Sequence, residues 1–126
     1  MRTISKLTVM AILGVSLVAC GGGAGAGGPL TATNACKELA VEVCAKMHQC
    51  LPKEALAADP DTYGKDAADC AKKFQATECT PDKITCESGT TYSASDAESC
   101  IDGIPMTTCD NFVAGALPAS CDEVCK

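Results

Sequence analysis

Apolar and polar residues follow three different patterns along this chain. Residues 7–19 are almost continuously apolar, interrupted only by Thr8, Gly14 and Ser16. Residues 21–28 are glycine and alanine alone, with no face to bury. Beyond them the pattern becomes helical. Cys36, Leu39, Ala40, Val43, Cys44 and Met47 recur at helical spacing, with Lys37, Glu38, Glu42, Lys46 and Gln49 on the other side. Asn34 is a suitable N-cap and Leu51-Pro52 a stop, so the pattern predicts a helix over residues 35–50. Tyr63, Ala67, Cys70, Ala71 and Phe74 share one face, which predicts a second helix over 62–75, started by Asp59-Pro60 and weakened by Gly64. Residues 80–92 are irregular. Ser95 and Glu98 have capping-box spacing before a short helix through Cys100 and Ile101, ending near Gly103-Ile104-Pro105. A further helix is expected from Cys109 to about Ala114, closed by Gly115. Pro118 separates it from a last turn, Ser120 to Cys125. The expected fold class is all-α: a small disulfide-rich domain of short helices, arranged as two helical hairpins joined by an irregular loop. A weak internal repeat agrees with this. Tyr63, Cys70 and Cys79 are spaced much as Tyr92, Cys100 and Cys109, although chance in a cysteine-rich chain would also give it.

The apolar run at the start changes the picture. It follows Arg2 and Lys6 and is 13 residues long. As a helix it would reach roughly 20 Å, against about 30 Å of bilayer hydrocarbon. That is short for a membrane span and suited to the apolar region of a signal peptide over residues 1–19. A buried core helix is the competing reading, and the positive flank and following glycines weigh against it. The run ends Leu17-Val18-Ala19-Cys20, which resembles the bacterial lipobox. The resemblance implies a diacylglyceryl thioether on Cys20, cleavage after the small Ala19, and usually a third acyl chain on the new N-terminus. One acyl chain holds a protein marginally, and two or three hold it stably. Ordinary secretion with cleavage near Ala24 or Ala26 is the alternative. Residues 20–34 then read as the lipidated cysteine and a glycine-rich tether, and 35–126 as the domain. Gly21 carries no acidic retention signal, which by the same resemblance points to the outer membrane.

Composition supports a stapled domain. Four aromatic residues, two Tyr and two Phe, and no Trp leave a thin core for a chain of this size. Eleven cysteines compensate. Setting Cys20 aside leaves an even set: Cys36, Cys44, Cys50, Cys70, Cys79, Cys86, Cys100, Cys109, Cys121 and Cys125. In an exported chain these are expected to be disulfide-bonded, with no free thiol. Pairs such as Cys36 with Cys44 cannot close along one helix, because about 12 Å separates them. Nesting of antiparallel segments favours Cys50–Cys70 and Cys44–Cys79, then Cys109–Cys121 and Cys100–Cys125, leaving Cys36–Cys86 to join the halves. Most bridges should stay within residues 36–86 or within 100–125.

Charge excludes some partners. Without Arg2 and Lys6 the ten basic side chains fall to eight against sixteen acidic, a formal balance of −8. An acidic chain without a basic patch is a poor ligand for nucleic acid or anionic lipid. Candidate chemistry is sparse. His48 is the single histidine, in Cys44-x-x-x-His48-x-Cys50. Cys44 and His48 lie one helical turn apart, but Cys50 points about 240° around the axis from Cys44. A zinc or copper site would also need reduced thiols. Hence Cys44 and Cys50 are expected in disulfides and His48 at the edge of the apolar stripe, with no metal and no cofactor. No G-x-S-x-G marks a nucleophile, and no Cys-x-x-Cys marks a thioredoxin-type redox site. No residue set reads as catalytic.

Gly89-Thr90-Thr91-Tyr92 through Cys100, Thr108-Cys109, Leu117-Pro118-Ala119-Ser120-Cys121 and Val124, with the Cys44/Cys50 and Cys70/Cys79 spacings, resembles the small Cys-rich lipoproteins predicted in myxobacteria and their relatives. That resemblance implies a helical, disulfide-bonded envelope protein and no particular activity. The expected function is therefore a non-enzymatic binding or scaffolding module, lipid-anchored in the bacterial cell envelope. Its expected partners are the membrane, through Cys20, and the lipoprotein processing and sorting machinery, with the surface ligand left open. The alternative is a periplasmic metal-binding or thiol-redox protein using Cys44, His48 and Cys50.

Overall fold

The computed structural model describes residues 29–126. The expected signal peptide, Cys20 and the tether as far as residue 28 lie outside the described residues. Within them the regular structure is helical: α1 (Ala32–Cys50), α2 (Lys53–Ala58), α3 (Pro60–Tyr63), α4 (Ala67–Glu78), α5 (Ala94–Met106), α6 (Cys109–Val113) and a 3-10 turn (Ala119–Cys121). The fold class is all-α and disulfide-rich.

Several helix boundaries differ from the expectation. Thr31, and not Asn34, caps α1: its hydroxyl accepts from the Asn34 N–H at 3.3 Å. Leu30 decides the choice, because it packs on the cluster that contains Ala35. An apolar residue before the cap meeting one four positions into the helix fixes the entry of the chain. Helical structure thus begins inside the stretch assigned to the tether. The single helix expected over 62–75 is two. Gly64 breaks it at φ 67°, and Asp59 and Asp66 cap the two pieces by accepting from the N–H groups of Thr62 and Asp69. A Cβ on Gly64 would sit 2.5 Å from the Cys70 backbone nitrogen, so the turn needs glycine twice over. Ser93 caps α5 by accepting from the Asp96 N–H and also donates its hydroxyl to the Asp96 carboxylate, so the box begins two residues before Ser95. α5 also runs on past Gly103. Pro105 removes only its own N–H, and the last carbonyls are met by the Thr107 N–H, which reaches Gly103 and Ile104. Gly103 is there for packing: a Cβ would lie 2.6 Å from the Pro118 ring.

α1 is the shared element, packed against both α4 and α5 and touching α6 near its end. Two clusters flank it. On one side Ala35, Ala97 and Ile101 are buried with Leu30, Leu39, Tyr92 and Val124 around them. On the other, Cys44, Cys70 and Ala71 are buried with Met47 and Phe74. The two halves therefore do not pack as separate units. The C-terminus returns to the segment before α5, where the Thr91 N–H donates to the Lys126 carbonyl at 2.7 Å and the Ser93 N–H to that of Val124 at 2.8 Å.

All ten domain cysteines are bridged: Cys36–Cys79, Cys44–Cys70, Cys50–Cys109, Cys86–Cys125 and Cys100–Cys121. Their Cα separations run from 4.7 to 5.8 Å, inside the range a disulfide spans. None of the five expected pairs occurs, although the expected antiparallel nesting of 36–50 with 70–79 does. The register differs from the expected one for a definable reason. Cys36 and Cys44 are eight residues apart and Cys70 and Cys79 nine, so two antiparallel helices align both pairs as rungs. Cys44 and Cys50 are only six apart and match no such partner interval. Cys50 is thereby left to reach Cys109, and Cys86 reaches Cys125. Three bridges stay within the two blocks and two cross between them.

Candidate functional site: an apolar groove

A groove opens beside the packed faces of α1 and α5. Ala32, Ala35 and Leu39 line one wall, Ala97 and Ile101 the facing wall, and Phe74, Ile84 and Val124 close the remaining sides. The groove has a volume of about 380 Å³. Such a volume, mostly apolar with few polar groups, lies within the usual range of small-ligand sites, roughly 300–1,000 Å³. The Cys86–Cys125 bridge forms part of its lining and holds the 80–92 loop against the C-terminal segment. Ala35 and Ala97 are buried in one cluster with Ile101, so alanine at these positions brings α1 and α5 close together beside the groove.

Two polar features border the groove. Among the described residues that line it, the charged ones are Glu78 and Lys83, and these pair with each other at 3.3 Å. The Tyr92 hydroxyl donates to the Leu30 carbonyl at 2.9 Å, pinning the chain where it enters α1. Burial pushes the Tyr92 phenol above its ordinary value, and the charges of Glu98 and Glu38 add to the effect. Tyr92 is therefore a protonated donor throughout the neutral range.

The residues considered for metal binding are not brought together. Cys44 bonds Cys70 on α4 and Cys50 bonds Cys109 on α6, so neither presents a thiolate to His48. His48 is half-buried, and its Nε2 donates to the Tyr63 carbonyl at 2.8 Å, tying α1 to the end of α3. It also borders a second recess, with Lys53, Leu56 and Lys65. Among the described residues no group of three or more His, Cys, Asp and Glu side chains could hold a metal ion. Nor, among them, is any helix long and apolar enough to cross a membrane.

The sequence pattern puts Lys46 on the polar side of α1, yet it is 6 % exposed. Its ammonium donates to the Pro105 carbonyl at 3.0 Å, near the C-terminal end of α5. A cation there meets the negative end of the helix dipole and one of its unpaired carbonyls. The polar stripe misleads because α5 packs on a face of α1 that a one-sided amphipathic helix would leave in water.

Comparison with known protein families, curated proteins and solved structures gives no match for this chain.

Proposed function

We propose that the chain is a lipid-anchored envelope lipoprotein, held through a diacylglyceryl group on Cys20 after removal of residues 1–19. Its domain is a non-enzymatic module that binds or scaffolds through its surface, and the outer membrane is its site. The observation that carries the reading is the use of cysteine. Five bridges account for ten of the eleven cysteines, and the one the framework leaves aside is Cys20, at the end of the apolar run. A framework of this density belongs to an oxidising compartment, which an N-terminal export signal would supply. The groove favours binding over chemistry, since apolar side chains and sulfur line it and its two charged groups neutralise one another.

Intact-mass analysis of protein isolated from the membrane fraction of the native host tests the reading. The expected product begins at Cys20 and carries two or three acyl chains. Cys20→Ala should leave unprocessed, unacylated precursor. A soluble wild-type product without acyl groups, beginning near Ala24 or Ala26, overturns the anchor.

A further inference from the structure

The shape and chemistry of the groove select an occupant. A narrow, unbranched apolar chain fits. A free fatty acid would bring a carboxylate, and the cation on the groove lining, Lys83, already pairs with Glu78 at 3.3 Å. An acyl chain bound as an ester or amide brings no charge and needs no cation.

The direction of the polypeptide supplies the remaining constraint. Ala32 lines the groove, and Leu30 packs on the cluster beneath it. The Tyr92–Leu30 hydrogen bond fixes this entry point at the groove itself. Ten residues separate Leu30 from Cys20, at most about 35 Å of chain. A lipid on Cys20 is within reach of the groove of its own domain. We propose that the groove takes one acyl chain of the lipid on Cys20, an inference that rests on the anchor reading above. A chain held there is withheld from the bilayer. The groove then sets how many chains grip the membrane, and it shields one of them from water while the protein is between membranes.

Photo-crosslinking tests this in the full-length protein. Cells are fed a long-chain fatty acid carrying a terminal diazirine, which enters the lipid on Cys20. The acylated protein is purified in detergent and irradiated, and its peptides are mapped. The expected crosslinks fall on groove residues, Leu39, Ile84 and Ile101 foremost. Ile84→Glu, at a half-buried loop position, should reduce them at least fivefold, with a non-reducing peptide map confirming that the five bridges are intact. Should that variant lose its bridges, the wild-type crosslink map decides alone. Acylated protein whose crosslinks fall on lipid, detergent or other surfaces overturns the groove assignment and leaves the anchor standing. Crosslinked dimers assign the groove to another copy's chain and overturn it as well. A protein without acyl groups by intact mass removes both readings together.

Discussion

Removing the bridge between Cys50 and Cys109 tests the architecture most directly, because it joins the end of α1 to the start of α6 across the two halves. The perturbation is the double variant Cys50→Ala/Cys109→Ala, which leaves no odd thiol. The direct separation is 59 residues, but the other bridges shorten the loop that Cys50–Cys109 closes in the unfolded chain. The path runs fourteen residues from Cys50 to Cys36, seven from Cys79 to Cys86, four from Cys125 to Cys121 and nine from Cys100 to Cys109. Closing a loop of roughly 34 residues removes chain entropy worth about 3.8 kcal/mol at room temperature. Both residues are half-buried, so little cavity cost is added. A loss of that size should lower Tm by about 15–30 °C for a domain of this length. Urea unfolding under non-reducing conditions gives a second readout. If the effect works through the unfolded chain, the variant's unfolded state expands and its m-value rises as its midpoint falls. A loss below about 1 kcal/mol, or a midpoint shift at constant m, would refute the entropic reasoning. A peptide map placing Cys50 on Cys70 would refute the topology.

Three other perturbations probe local claims. Gly64→Ala should cost about 2 kcal/mol or more, since it forces a side chain into a positive-φ position against the α4 backbone; a Tm within 2 °C of wild type, by about the same scaling, would show that the turn relaxes freely. Lys46→Met keeps the apolar stem but leaves the Pro105 carbonyl without its donor, and should lower stability by about 1–2 kcal/mol in urea unfolding, whereas a gain would show that burying the ammonium costs more than its bond returns. The Lys126 ammonium and then the Ser93 hydroxyl hold the Asp96 carboxyl below the usual aspartate range. Its contribution is therefore complete above that range and is lost as pH falls through the depressed value. The difference in urea midpoint between wild type and Asp96→Asn should accordingly narrow on acidification, and a difference constant from neutral pH to pH about 2 would contradict the pairing.

The features legible in the sequence are those decided locally. The 3.6-residue recurrence through Leu39, Val43 and Met47 reports α1, and Thr108 with Gly115 brackets α6 almost to the residue. The even count of domain cysteines reports full pairing. Features that depend on two distant segments were not legible in the same way. Whether Thr31 or Asn34 capped α1 depended on Leu30 finding a cluster built partly from α5. Lys46 looked like a solvated residue because nothing in its neighbourhood announces that Pro105 lies 59 positions away in sequence and 3.0 Å away in space. α2 could have been found, since Lys53-Glu54-Ala55-Leu56-Ala57-Ala58 is made of strong helix formers behind Pro52. The rungs of the α1/α4 ladder were also accessible, from the nearly matching intervals of their cysteines, eight and nine residues. The groove had no sequence marker, because its walls come from distant segments.

Small side chains link the core to the cysteines. Among the described residues the buried apolar set is four alanines, four cysteines and two isoleucines. Alanine lets helices approach closely but buries little area, so hydrophobic burial, at roughly 25 cal/mol per Å², accumulates slowly in such a core. Half-cystines occupy the positions where a larger domain would place leucine or phenylalanine: Cys44 is fully buried between α1 and α4, and Cys100 is 2 % exposed beneath the C-terminal turn. The bridges therefore do two tasks, filling the interior and restricting the unfolded chain. A fold built this way leans on its disulfides where hydrophobic burial is thin. An apolar space remains beside α1. Covalent rungs on the α4 side and Cys86–Cys125 at the groove lining hold the segments that wall this space, so its shape rests on the bridges as well as on packing.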